Sequence, residues 1–342
     1  MIAYEDIKEV HLEISSLCNA KCPQCPRNFN GYTFNDGYPE TYMTLSQAKE
    51  IFDSSFLRQL RKVLINGNFG DIVMNPEAAD IVEYFRSVNR GMHIIISTNG
   101  GARDKEFWER LAKANTKVLF CLDGLEDTHH LYRQNTRYNT VIKNAMTFIG
   151  AGGNATWKCI KFKHNEHQIE EMRQLAKDFG FSGFELIDHG RDIGPVYNEQ
   201  QELTHVLGDY NGPTDWQTVF VEMRSEQRTL DNTASRFNPE SDNIEISCDT
   251  LDNSRIYIAA NGDVAPCCFT GFYPKTFGKN QYMEVVNSQL GPMMQDHNAM
   301  QHGIKKAIEW FQPINKSWDK RSYKDGRMFV CDEFCGRCNN ES

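Results

Sequence analysis

Between Val10 and Ile187, apolar runs of strand length recur, each followed by a stretch with helical periodicity. That rhythm restricts the fold more than any other feature of the chain. Val10, Leu12 and Ile14 alternate with His11, Glu13 and Ser15, the period of a half-buried strand. Val63-Leu64-Ile65, His93 to Ser97, Lys117 to Leu122, Thr156 to Phe162 and Phe184 to Ile187 follow as further strands. Thr44-Leu45-Ser46-Gln47 is a capping box with Thr44 as N-cap, and Leu45, Ala48, Ile51, Phe52 and Phe56 continue at helical spacing. Pro76 is expected in the first turn of the next helix. Phe107 to Ala114, Asn139 to Ile149 and His167 to Phe179 read as helices, the second broken by Gly152-Gly153. Six strands alternating with helices predict an α/β fold of parallel strands and crossover helices, with both sheet faces covered. Six units are too few for a closed eight-unit barrel, so a curved, partly open barrel suits them. In such folds chemistry collects where the strands end.

The end of the first strand carries Cys18-Asn19-Ala20-Lys21-Cys22-Pro23-Gln24-Cys25, three cysteines separated by three and then two residues. A mononuclear zinc site needs a fourth ligand nearby, whereas three thiolates can hold three corners of a 4Fe-4S cube and leave one iron free for a small molecule. A zinc knuckle or three unrelated buried thiols are the other readings of this loop. The chain has 11 cysteines, an odd number, and its start, Met1-Ile2-Ala3-Tyr4-Glu5-Asp6, lacks the basic and apolar regions of a secretory signal. A cytoplasmic location is expected, and there disulfides are not the purpose of the cysteines. Eight of them fall in three groups, Cys18, Cys22 and Cys25, then Cys267 and Cys268, then Cys331, Cys335 and Cys338, which points to metal. With 342 residues, 40% hydrophobic and 24% charged, the chain has the length and composition of a large globular domain plus a smaller one. Its net charge of -9 and the absence of a long basic block argue against a nucleic-acid partner. No apolar run reaches membrane-spanning length.

The cysteine spacing at the end of a first strand resembles the signature loop of the radical S-adenosylmethionine (SAM) superfamily, in which the open iron is chelated by SAM. Gln24 stands where that family often has an aromatic residue. After the second strand, Asn66-Gly67-Asn68-Phe69-Gly70-Asp71-Ile72 is similar to the family's Gly-Gly-Glu-Pro segment, which binds the SAM amino group. Phe69, Asp71 and Ile72 replace Gly, Glu and Pro, and Gly67 and Gly70 let the backbone approach a ligand closely. Ser97-Thr98-Asn99-Gly100-Gly101 is similar to the segment that contacts the SAM ribose or methionine part, although Asn-Gly is also an ordinary turn. Cys121-Leu122-Asp123-Gly124 resembles the Ser-Leu-Asp-Gly of the peptide-modifying branch, which implies that Asp123 lies near the ribose hydroxyls. His129, Tyr132 and Arg133 follow at spacings seen in that branch, where an arginine pairs with the SAM carboxylate; an exposed helix arginine is the other reading of Arg133. His164 and Asn165, after the fifth strand, fit the same pattern. The fold implied is a partial (β/α)6 barrel on residues 1–188.

Residues 189–240 lose the rhythm and read as a polar, turn-rich bridge across the barrel mouth, helical only around Trp216 to Met223. In residues 241–342, Cys248 precedes two apolar runs around Asn261-Gly262-Asp263, a strong hairpin signal leading to Cys267. A cysteine, a hairpin glycine, a second cysteine four residues further and a late two-spaced pair resemble the SPASM or twitch domains that follow many such barrels. The resemblance implies one auxiliary 4Fe-4S cluster on Cys248, Cys267, Cys335 and Cys338, with Cys268 and Cys331 as bystanders and Cys331 as the main rival. A zinc ribbon on the same four cysteines has the same ligand count. The activity implied is reductive cleavage of SAM to a 5'-deoxyadenosyl radical that removes a hydrogen atom from a substrate. A peptide or protein is the expected substrate and a small metabolite the alternative, with an electron donor such as flavodoxin or ferredoxin. A non-catalytic metal-binding scaffold is the reading from another class.

Overall fold

A computed structural model of the chain describes residues 2–33, 38–188, 194–225, 244–272, 281–321 and 325–338. Its centre is one sheet. Strands β1 (Glu9–Leu12), β2 (Lys62–Ile65), β3 (His93–Thr98), β4 (Lys117–Cys121), β5 (Asn154–Ile160) and β6 (Gly183–Ile187) pair in that order, all parallel, as the sequence rhythm requires. One residue in two faces the helices: Val10, Leu12, Val63, Ile65, Ile94, Ile96, Val118, Phe120, Ala155 and Trp157 share one contiguous core with Ile51, Phe52, Val82, Phe85, Trp108, Leu111, Phe148 and Met172. The alternate residues Ser97, Cys121 and Lys158 line an internal cavity instead. Helices cover one face of the sheet, and residues of the other face such as His11, Leu119 and Cys121 are buried as well.

The capping box forms as expected, with Gln47 N donating to Thr44 Oγ1 at 3.2 Å and Thr44 N to Gln47 Oε1 at 2.9 Å. The helix expected from Pro76 begins at Ala78. Just before it, the Asn75 side-chain amide donates to Ile14 O and Met43 O, both at 2.8 Å, and so ties the loop after β2 to the segment after β1.

Two differences from the sequence reading concern residues after 188. The expected hairpin forms from β10 (Arg255–Ile258) and β11 (Val264–Ala265), but β10 also pairs in parallel with β1, giving an eight-stranded sheet in the order β11-β10-β1-β2-β3-β4-β5-β6. Ile256 and Ile258 join the same core as Val10 and Leu12, and Arg255 meets Glu9 at 2.8 Å across the pairing. The bridge, in turn, is not devoid of strands. β7 (Gly194–Tyr197) and β8 (Leu203–Leu207) form an antiparallel hairpin, followed by the helix Trp216–Ser225. Residues 189–193 and 226–240 of the bridge lie outside the described residues. Strands β9 (Ile244–Ile246) and β12 (Gly336–Cys338) pair antiparallel and bring the last cysteines back to the residues just before Cys248. Among the described residues no helix is long and apolar enough to cross a membrane.

Candidate active site

The loop after β1 is folded by its own backbone and by its neighbours. Cys25 N donates to Cys22 O at 3.0 Å, Asn28 N to Cys25 O at 2.8 Å and Lys21 N to Gln134 O at 2.9 Å. Its three cysteines line one cavity of about 420 Å³ together with the ends of β2, β3, β4 and β5. Donors point at two of the sulfurs. Ala20 N lies 3.4 Å and Asn99 Nδ2 3.7 Å from Cys18 Sγ, and an Arg133 guanidinium nitrogen lies 3.7 Å from Cys22 Sγ. Such donors favour the thiolate form that binds metal. In the metal-free chain burial, and then the Asp71 charge, push the Cys18 thiol well above its ordinary pKa. The apolar side of the loop is closed by β7 and β8. Ala20, Cys22, Tyr132, Ile160, Phe162, Val196 and Leu207 form one buried cluster, and Tyr197 N donates to Asn30 O at 2.7 Å.

All of Asn66, Gly67, Asn68, Phe69, Gly70 and Asp71 line the cavity, and the Phe69 and Asp71 side chains also brace the protein itself. Phe69 stacks on Tyr38 with ring centroids 4.7 Å apart. Asp71 is buried and accepts Thr98 Oγ1 at 2.6 Å, Asn99 N at 2.7 Å and Val73 N at 3.1 Å, locking the β2 loop to the β3 loop. Burial raises its pKa against those three donors. The two glycines serve close packing within the protein. A Cβ on Gly70 would stand 1.9 Å from Ser15 O, and one on Gly67 2.0 Å from Gly70 O. Thus the loop is pressed against the backbone leading to the cysteines. Asp71 N donates to Leu17 O at 2.9 Å in the same contact.

Ser97 and Asn99 line the cavity, with Ser97 Oγ 3.6 Å from Cys121 Sγ. Asp123 is fully buried and does not line it. One carboxylate oxygen accepts Ile160 N at 2.6 Å and the other Arg133 Nε at 2.5 Å. Asp123 thereby holds Arg133, which does line the cavity. The exposed-helix alternative for Arg133 is set aside, since its side chain is only 15% exposed. His129 is turned to Thr136 Oγ1 at 2.9 Å, and Asn165 braces Asp123 O at 3.1 Å. Sequence reasoning missed Glu13, whose buried carboxylate accepts the amides of Phe69 and Gly70. The only signal was a carboxylate within an alternating strand pattern, and its partners lie 56 and 57 residues away.

A second cavity of about 340 Å³ is lined by Cys248, Cys267, Cys268, Cys331 and Cys335. The side chain of Cys338 lies outside the described residues. A hydrogen bond joins Cys248 and Cys335 and draws the Cys248 pKa down to about 6. β11 ends at Ala265 and Cys268 opens the helix Cys268–Phe272, so Cys267 and Cys268 lie beyond the hairpin and strand alternation does not separate them. No disulfide joins the described cysteines, and no three described His, Cys, Asp or Glu side chains are gathered closely enough to hold a single metal ion.

Comparison with known proteins agrees with this geometry. The pattern of the Radical SAM superfamily matches residues 12–176. The tungsten-containing aldehyde ferredoxin oxidoreductase cofactor-modifying protein of Pyrococcus furiosus is 20% identical over 330 residues, 91% of this chain and 85% of that one. Among solved structures, Streptococcus suis SuiB bound to S-adenosylmethionine superimposes with a TM-score of 0.55 at 16% identity, covering 95% of this chain and 77% of SuiB. In another SuiB structure, with a TM-score of 0.52, the share of that chain falls to 65%. Native anSMEcpe with bound AdoMet and Cp18Cys peptide gives 0.53 at 16% identity, covering 95% of this chain and 88% of that one. Parallel strands, a three-cysteine loop beyond the first of them and the match over residues 12–176, just under half of the chain, make this region similar to the radical SAM superfamily.

Proposed function

We propose that the protein binds a 4Fe-4S cluster on Cys18, Cys22 and Cys25 and SAM beside it, and that it removes a hydrogen atom from a peptide or protein substrate. The observation that carries this reading is the shared cavity, in which the three cysteines face Gly67 to Asp71, Ser97, Asn99 and Arg133. When bound, the cluster and SAM supply the reducing electron and the 5'-deoxyadenosyl radical. The chain's own residues hold and shield them. Arg133, kept in place by Asp123, offers its guanidinium to the SAM carboxylate. The loop 66–71 presents backbone groups, and the apolar cluster around Cys22 keeps water from the cysteine loop. An auxiliary 4Fe-4S cluster is proposed in the second cavity on Cys248, Cys267 and Cys335, with Cys331 or Cys338 as the fourth ligand.

Peptide-bound anSMEcpe and SuiB bound to precursor peptide SuiA share the fold, which supports a peptide substrate. A small molecule is the second reading, favoured by the Pyrococcus furiosus relative, whose name is that of a cofactor-modifying protein. The test adds size-fractionated extract of the source organism to reduced, iron-reconstituted protein with SAM and follows 5'-deoxyadenosine. Stimulation by a large, protease-sensitive fraction supports a peptide. Stimulation confined to a small, protease-resistant fraction overturns it.

A further inference from the structure

We propose that Glu13 is a positioning residue for SAM and that Tyr257 of the C-terminal hairpin holds it in place, so that the C-terminal part of the chain sets the loop lining the SAM cavity. This rests on the radical SAM reading of that cavity. Glu13 lies just beyond β1 and is 1% exposed. Its Oε1 accepts Phe69 N at 2.7 Å and Gly70 N at 2.8 Å, and its Oε2 accepts the Tyr257 hydroxyl at 2.6 Å. Both amides belong to the loop 66–71, every residue of which lines the cavity. The contact is close as well as polar, since the position of a Cβ on Gly67 is 2.9 Å from Glu13 Oε1.

Tyr257 sits on β10, the strand that joins the sheet beside β1, and His11 packs edge-on against its ring at 5.3 Å. Burial, and then the Glu13 charge, push the Tyr257 hydroxyl pKa well up, so it stays a donor to the carboxylate. A second tie runs in parallel: Asn68 Nδ2 donates to Cys268 O at 2.9 Å, linking the same loop to the wall of the second cavity. A buried carboxylate accepting three donors holds them in one geometry, and without it two loop amides lose their acceptor. Gln at position 13 can still accept both amides through Oε1 and donate through Nε2 to the tyrosine oxygen. Ala cannot.

The experiment measures SAM binding to the iron-reconstituted full chain by equilibrium dialysis, with iron content and the SAM-induced change in the electron paramagnetic resonance of the reduced protein as parallel readouts. Glu13→Ala is expected to weaken SAM binding about tenfold or more at wild-type iron content, and Glu13→Gln to stay within about threefold of wild type. Tyr257→Phe is expected to weaken binding in the wild-type background and to have no further effect in Glu13→Ala. Glu13→Ala binding SAM as wild type does, Glu13→Gln as weak as Glu13→Ala, or a Tyr257→Phe effect equal in both backgrounds would each overturn the proposal. Should Glu13→Ala fail to load iron, Glu13→Gln and Tyr257→Phe decide through their double variant: in the Gln background Tyr257→Phe must still weaken binding. Wild-type protein that loads iron but binds no SAM would instead defeat the functional reading itself.

Discussion

Asp123→Ala removes the acceptor of a buried ion pair and leaves its partner in place. Asp123 is 0% exposed and Arg133 is 15% exposed, so the guanidinium would be left largely out of water without a counter-charge. Breaking a buried pair from one side costs about 3–5 kcal/mol. Because Arg133 keeps a little solvent and the Cys22 sulfur at 3.7 Å, the lower end applies, about 3 kcal/mol. Ile160 N loses its acceptor as well, adding about 1 kcal/mol. Deleting both charges with Asp123→Ala/Arg133→Ala removes the larger part of that loss, so the double variant is expected to be more stable than Asp123→Ala by about 2 kcal/mol. Urea unfolding of the metal-free chain, followed by tryptophan fluorescence, measures this. Trp157 reports on the site because its indole donates to Leu122 O, next to Asp123, at 3.0 Å. An Asp123→Ala variant within about 1 kcal/mol of wild type, or a double variant less stable than the single, would refute the ion-pair argument.

Gly70→Ala puts a Cβ 1.9 Å from the backbone oxygen of Ser15, so the loop must move; SAM affinity is expected to fall about tenfold or more. Gly150→Ala, with nothing within 4 Å of the new Cβ, is the control and should bind SAM as wild type does. His11 is neutral in the fold because burial lowers its pKa to about 4, against an Asn66 O contact that raises it. The unfolded chain takes up the proton first. Stability is therefore lost as pH falls from about 6.5, reaching about 3 kcal/mol near pH 4. In His11→Gln that part of the slope should vanish; an unchanged acid slope in urea midpoints counts against a buried neutral His11. Iron analysis of the anaerobically reconstituted chain should give about eight atoms, falling to about four in the triple Cys18, Cys22 and Cys25 alanine variant.

Strand-helix alternation and the three-cysteine loop were legible because both are local. Val10, Leu12 and Ile14 announce a strand within five residues, and Cys18, Cys22 and Cys25 converge through their spacing alone. The parallel pairing of β10 with β1 was not legible, since its partners lie 246 positions apart and nothing in Arg255 to Ile258 distinguishes a local hairpin from a strand that completes a distant sheet. A separation of 244 positions hides the bond between Glu13 and Tyr257 in the same way. The contacts of Asp71 and Asp123 were not readable. A carboxylate that contacts a ligand and one that braces a neighbouring loop or arginine look alike in sequence; the donors that each holds show only in the fold. In the bridge, Gly194, Pro195 and the polar residues around Asn198 hid the short hairpin that closes over Cys22.

The most direct measurement is 5'-deoxyadenosine formed when anaerobically reconstituted protein is reduced in the presence of SAM, quantified for wild type and for the Cys18, Cys22 and Cys25 triple alanine variant. The cavity geometry predicts formation by wild type and none by the variant. Reductive cleavage of SAM by the triple variant at the wild-type rate would contradict the assignment of this cavity as the radical site.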